Sequence, residues 1–256
     1  MRILPNLARL VFAGFLVSLA TGLVAGLGTK YALWDFKFGL LTLFPWCIYI
    51  GLGALGLGAI WAVAALVTNN GKNARHGLIG LVGSAAVLAL PLYSIYVAKT
   101  SPPIHDISTD IANPPQFRAV LPLRKKALNP PAYYGATKVP WNGQTLTVSQ
   151  WQRKYYPDIF TVRLLTPPAK LYDRALQAAK AMGWNIVAQD PIARRIEATD
   201  TTLFFGFTDD IAIRVAASGM GAKLDIRSES RVGVSDVGKN ASRIRAYIKE
   251  LAKTRG

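Results

Sequence analysis

Three stretches of the chain, residues 10–29, 38–71 and 77–98, contain no Asp, Glu, Lys or Arg. Each is at least about as long as the ~20 residues a helix needs to cross the hydrocarbon core of a bilayer. The pattern therefore predicts three transmembrane helices within residues 1–99. The first apolar run, behind Arg2 and Arg9, is too long for the core of an ordinary cleaved signal peptide, and two more runs follow it. A retained helix is expected there. The second run is 34 residues, more than a span requires, with Pro45 near its start; the helix is expected to run from about Phe44 to about Val67.

After Lys99 the pattern changes. Residues 100–152 carry Pro102, Pro103, Pro114, Pro115, Pro122, Pro130, Pro131 and Pro140, a density that disfavours regular helix. Phe117, Tyr133, Tyr134 and Trp141 punctuate this part, so it is expected to lie over the domain surface as an extended arm. From residue 153 to 256 the periodicity becomes regular. "DIFTVRLL" predicts a strand, and "TPPAKLYDRALQAAKAMG" an amphipathic helix with Thr166 at its start and Gly183 at its end. Short β-type runs follow at 184–188, 194–199, 202–207, 211–217 and 222–232. Residues 236–253 then place Val237, Ala241, Ile244, Ile248 and Leu251 on one helical face. The expected architecture is three transmembrane α-helices followed by an α+β domain. That domain has an antiparallel sheet of about five to six strands with two packing helices, of which a helix-grip arrangement is one version.

Alternation divides the densest polar stretch, "LDIRSESRVGVSDVGKN", between two faces. Leu224, Ile226, Ser228 and Ser230 share one, and Asp225, Arg227, Glu229 and Arg231 the other. The preceding strand opposes Ile211, Ile213 and Val215 to Asp210 and Arg214. If the strands pair, Asp210 and Arg214 join Asp225, Arg227 and Glu229 in a cross-strand charge ladder. The plainest reading of that ladder is a solvated sheet face that adds little stability. Against it, Ser228 and Ser230 break the apolar face beneath the last helix, where small polar groups line a pocket for a ligand. Ser235 or Asp236 caps that helix, with Asn240 and Arg243 on its first turns. The candidate ligand-binding residues are thus Asp209, Asp210, Arg214, Asp225, Arg227, Ser228, Ser230, Arg231, Asp236, Asn240 and Arg243.

The motifs "PPIHDISTD", "YPDI", "MGW", "RIEAT", "FGFTDDIAIRV" and "LDIRSESRVGVSDVGKNASRI" occur in this order over about residues 102–252. Together they resemble the family known as domain of unknown function 1499. The family includes bacterial members with a hydrophobic N-terminal part, so the resemblance supports the domain division and implies no activity.

Charge narrows the function classes. The part beyond the spans holds 23 Lys and Arg against 13 Asp and Glu, a net of +10, which suits an anionic lipid headgroup or another envelope ligand. Nucleic acid is not expected, because no recognition motif appears and the domain is placed outside the cytoplasm. That placement rests on Lys/Arg distribution. Arg2, Arg9, Lys72 and Arg75 fall on the inner side of a bacterial inner membrane, and Lys30, Lys37 and Lys99 on the periplasmic side. Tyr31, Trp34, Trp46, Tyr93 and Tyr96 form an aromatic belt at that outer interface. The single Cys47 lies within a span, so no disulfide is expected in the outer domain.

A membrane-anchored hydrolase-like enzyme using the Asp/Ser/Arg cluster is the alternative. It lacks a base for the serine: the only histidines are His76 beside a span and His105 in the arm, and no G-x-S-x-G elbow occurs. His105, Asp106 and Asp110 form too sparse a set for a metal site, so neither metal nor cofactor is expected. No ionisable residue lies deep in a span, which disfavours transport. Gly14, Ser18, Gly22 and Gly26 recur every four residues along the first span. This stripe suits close packing within a three-helix bundle, or a homo-oligomer in which the chain is a structural subunit of a membrane complex.

Overall fold

The structure, a computed structural model, describes residues 3–68 and 74–254. Among the described residues, three helical segments are long and apolar enough to cross a membrane: α1 (Ile3–Lys30), Phe38–Val67, which contains α2 (Phe44–Val67), and α3 (Ala74–Thr100). A π-helical stretch, Phe38–Leu43, runs directly into α2, and its first amide is held by Asp35 Oδ1 at 2.9 Å. Glycine sets how closely the helices approach. A Cβ on Gly14 would lie 2.9 Å from Ala54 of α2, and one on Gly80 would lie 2.7 Å from the Phe12 backbone nitrogen of α1. The Ser18 hydroxyl donates to the Cys47 carbonyl at 2.8 Å. The small-residue stripe of α1 thus has α2 of the same chain as its neighbour along Gly14, Ser18 and Gly22.

The described residues form two compact units, one of residues 3–68, 74–96 and Thr202–Gly206, the other of residues 97–201 and 207–254. The segment Thr202–Gly206 is not the expected strand but an apolar loop of the first unit. There Phe205 meets Phe44 edge to face, with ring centroids 5.4 Å apart, and Gly206 takes φ +70°. Phe204 and Phe205 serve helix packing, which alternation alone cannot distinguish from a short strand.

The second unit is an α+β domain with a six-stranded antiparallel sheet. Its strands are β1 (Asp106–Ser108), β4 (Val162–Leu164), β5 (Asn185–Asp190), β6 (Arg195–Thr201), β7 (Thr208–Ser218) and β8 (Gly221–Ser230). They run in the order β1-β8-β7-β6-β5, and β4 pairs with the other half of the β8 edge. The sixth strand therefore comes from the proline-rich arm. Two helices, α5 (Pro168–Ala181) and α6 (Lys239–Lys253), pack on one face. Between sheet and helices lie Leu171, Ile196, Ile211, Ile213, Leu224, Ile226, Ile244 and Tyr247, all buried. Burying the largest of these side chains contributes about 1.5–3 kcal/mol each.

The arm also holds a hairpin, β2 (Lys138–Trp141) and β3 (Gln144–Thr147), turning at Asn142 and Gly143 with φ +50° and +74°. Both left-handed residues fit a tight two-residue hairpin turn. Directly after it comes a helix unexpected from proline density, α4 (Val148–Tyr155). Thr147 and Gln150 cap it reciprocally: the Thr147 hydroxyl accepts from the Gln150 amide at 3.2 Å, and Gln150 Oε1 accepts from the Thr147 amide at 2.8 Å. This is the capping box.

Candidate functional site

Register builds the charged face. Asp106, Glu229 and Asp210 stand across from one another on β1, β8 and β7, so three carboxylates form one row. Like charges directly opposite destabilise a sheet, and arginines fork into this row to offset them. Arg227 grips Asp106 with both ends of its fork, Nε to Oδ1 at 2.9 Å and Nη2 to Oδ2 at 2.7 Å. The same Nη2 lies 3.4 Å from Glu229. Arg124, from the 3-10 turn Leu121–Arg124 of the arm, pairs with Asp210 and, at 3.0 Å, with Glu229. Arg231 closes on Asp210 Oδ1 at 2.7 Å. Phe117 covers the Arg227 guanidinium at 4.4 Å and Tyr133 does so at 5.5 Å, which places a cation on aromatic faces out of water.

Three carboxylates thus meet three guanidinium groups, and of the six only Arg231 keeps notable exposure. The face is not solvated as the ladder suggested. The arm seals it, and Arg118 and Val120 donate their backbone amides to Glu197 at 2.9–3.1 Å. Burial, reinforced by the Asp106 charge, pushes Glu229 up to about 8 against the pull of Arg124 and Arg227. Burial also raises Asp106, against its bond from Arg227.

Farther along the same face, Arg214 sits opposite Asp225 and pairs with it at 3.0 Å, and with Asp110 of the arm at 3.1 Å. The Thr161 hydroxyl donates to Asp225 at 2.6 Å.

The other candidates lie on the helix side. The Ser228 hydroxyl donates to Asn240 Oδ1 at 2.6 Å, and Asn240 donates to the Ser230 oxygen at 3.0 Å. Arg243 donates to Ser228 and Asn240, and pairs with Asp209 at 2.6 Å and Asp200 at 2.7 Å. Asp236 accepts from the amides of Gly238 at 2.8 Å and Asn240 at 2.7 Å, which tethers the start of α6. Burial pushes Asp236 up to about 6 and also raises Asp209.

The sheet therefore splits the eleven candidates. Asp210, Arg214, Asp225, Arg227 and Arg231 face the arm, and Asp209, Ser228, Ser230, Asp236, Asn240 and Arg243 face α6. Of the partners that complete the networks, sequence reasoning left out Arg124 and Asp200 and weighed Asp106 and Asp110 only with His105 as a metal set. No alternation marks Asp106, where apolar residues fall at Ile104, Ile107 and Ile111, and Arg124 has its partners 86 and 105 residues away. The serine hydroxyls bond to Asn240 and Arg243. The His105 ring meets the Tyr134 hydroxyl and, at 3.2 Å, the Val234 carbonyl. Burial lowers His105 below its ordinary value. In this geometry the polar groups neutralise one another and fasten arm, sheet and α6 together.

A family model described as "Protein of unknown function (DUF1499)" matches residues 106–251, and the chain belongs to that family. No curated protein matches the chain.

Proposed function

We propose that this member of the DUF1499 family is a membrane-tethered binding module whose outer domain holds anionic groups, with anionic lipid headgroups or another acidic envelope component as the ligand class. One observation carries the reading. Of the domain's 13 acidic residues, ten are in ion pairs, almost all with arginine and most of them buried. The lysines are left over: Lys125, Lys126, Lys138, Lys170, Lys180 and Lys239 are exposed and form no ion pair among the described residues. A domain that spends its acids internally presents its cationic excess to the outside, where it attracts anionic surfaces.

The reading places the domain in the periplasm of a bacterial cell, with the N-terminus cytoplasmic. Arg9 and Arg75 on one side and Lys30, Lys37 and Lys99 on the other support the three spans; Arg2 and Lys72, which weight the direction, lie outside the described residues.

Native mass spectrometry of the full chain in detergent, titrated with phosphatidylglycerol or phosphatidylcholine, tests the proposal. Preferential retention of the anionic lipid, weakening with salt, is expected. Equal retention of both lipids would refute it.

A further inference from the structure

Resting on that reading, we propose that the contact with anionic lipid is made by one end of the sheet, through the arm segment 121–128 beside Val234. Register defines that end. β1 begins there at Asp106, β7 begins at Thr208, and β6 and β8 finish at Thr201 and Ser230. The segment is fastened to the same end around Arg231. The Leu128 and Asn129 amides donate to the Arg231 carbonyl at 2.9 and 3.0 Å. The Arg231 amide donates to the Thr208 carbonyl at 3.2 Å. The Arg231 guanidinium donates to the Leu123 carbonyl at 2.9 Å. The Asn129 side chain holds the Ser230 and Gly233 carbonyls at 2.8 and 2.9 Å.

The segment is folded with its polarity inverted. Its one deeply buried side chain is Arg124, turned inward to Asp210 and Glu229, whereas Leu121, Leu123 and Leu128 are 43%, 51% and 62% exposed and Val234 is 75% exposed. Lys125 and Lys126 stand between the leucines, exposed and without an ion pair among the described residues. Leucine interleaved with lysine suits an element lying in the headgroup region, apolar side chains toward the acyl boundary and ammonium groups among phosphates. Chain connectivity selects this end. Five residues separate the end of α3 at Thr100 from the start of β1 at Asp106, a reach of about 20 Å at full extension. The opposite end also exposes apolar groups, Leu165, Ile192 and Met220, and has no such tether to a span.

The test is a lysine footprint on the full chain in nanodiscs, by brief acetylation and peptide mass spectrometry. Replacing part of the phosphatidylcholine with phosphatidylglycerol should lower labelling of Lys125 and Lys126 several-fold and leave Lys170 and Lys180 unchanged. Unchanged labelling at Lys125 and Lys126, or an equal fall at all four, overturns the proposal. The surface variant K125Q/K126Q should lose most of the phosphatidylglycerol adducts seen by native mass spectrometry. If the wild type retains that lipid and the variant retains it equally, this location fails and the binding reading stands. If the wild type retains none, both fail.

Discussion

Replacing Arg227 with methionine removes the guanidinium at the centre of the buried row and leaves a shorter, unbranched apolar chain. Arg227 and its partner Asp106 are 0% and 1% exposed, and the bonds lost are those at 2.9 and 2.7 Å to Asp106, at 3.0 Å to the Pro131 carbonyl and at 3.4 Å to Glu229. Asp106 would remain beside Glu229 with no counter-ion of its own. Removing one partner of a buried pair typically costs about 3–5 kcal/mol, because the other charge stays desolvated. For a domain of this size that lowers Tm by roughly 6–20 °C.

Near-UV circular dichroism of the full chain in detergent measures the loss, and trypsin reports where it occurs. Arm release exposes the backbone at Lys125 and Lys126, so cleavage there should accelerate. R227K keeps the charge without the fork and should fall between wild type and R227M. The variant D106L/R227M removes charge and counter-ion together and should recover part of the lost Tm. If R227M lowers Tm by less than about 2 °C, the idea that this network fastens the arm is wrong.

Two further outcomes follow from the same structure. Glu229 is raised from 4.5 to about 8, so the native state holds a proton that the unfolded chain has released across that window. Stability should therefore fall as pH rises from 4.5 to about 8. Asp236, raised from 3.8 to about 6, acts in the same direction at lower pH, and His105, lowered from 6.5, opposes it there. The clean range is thus pH 6.5–8, where Tm of the wild type should drop and E229Q should flatten the slope. A wild-type Tm that rises over this range contradicts the assignment. In the helical unit, G80A would place Cβ 2.7 Å from the Phe12 nitrogen and 2.8 Å from the Val11 carbonyl carbon, backbone atoms that cannot rotate away, whereas Gly53 has nothing within 4 Å. Fluorescence-detected size exclusion after heating should show G80A losing stability, by about 1–3 kcal/mol as an overpacked site, and G53A matching wild type. Equal behaviour of the two would refute the packing.

What was legible in the sequence depended on how local its cause is. α2 begins at Phe44 and ends at Val67, where Pro45 and the apolar run placed it, because helix start and span length are local properties. Alternation sorted β7 and β8 into their two faces, because the period of a strand is fixed by its backbone. Alternation states which residues share a face and leaves open what covers it. Here the cover is an arm whose sequence is dominated by proline, and its helix α4 is marked only by the pair Thr147 and Gln150. The loop Thr202–Gly206 resembled a strand because apolar side chains were all that the pattern could weigh. The row of Asp106, Glu229 and Asp210 could still have been questioned from sequence. Once Asp210 and Glu229 are set on paired strands facing the same way, two carboxylates compete for one space, and solvent or a cation must separate them. Water suffices on an open sheet. On a covered one the cation has to come from the cover, and a forked guanidinium can serve two acids where an ammonium serves as a point charge. That requirement selects Arg124 over Lys125 and Lys126, and it leaves the two lysines facing outward.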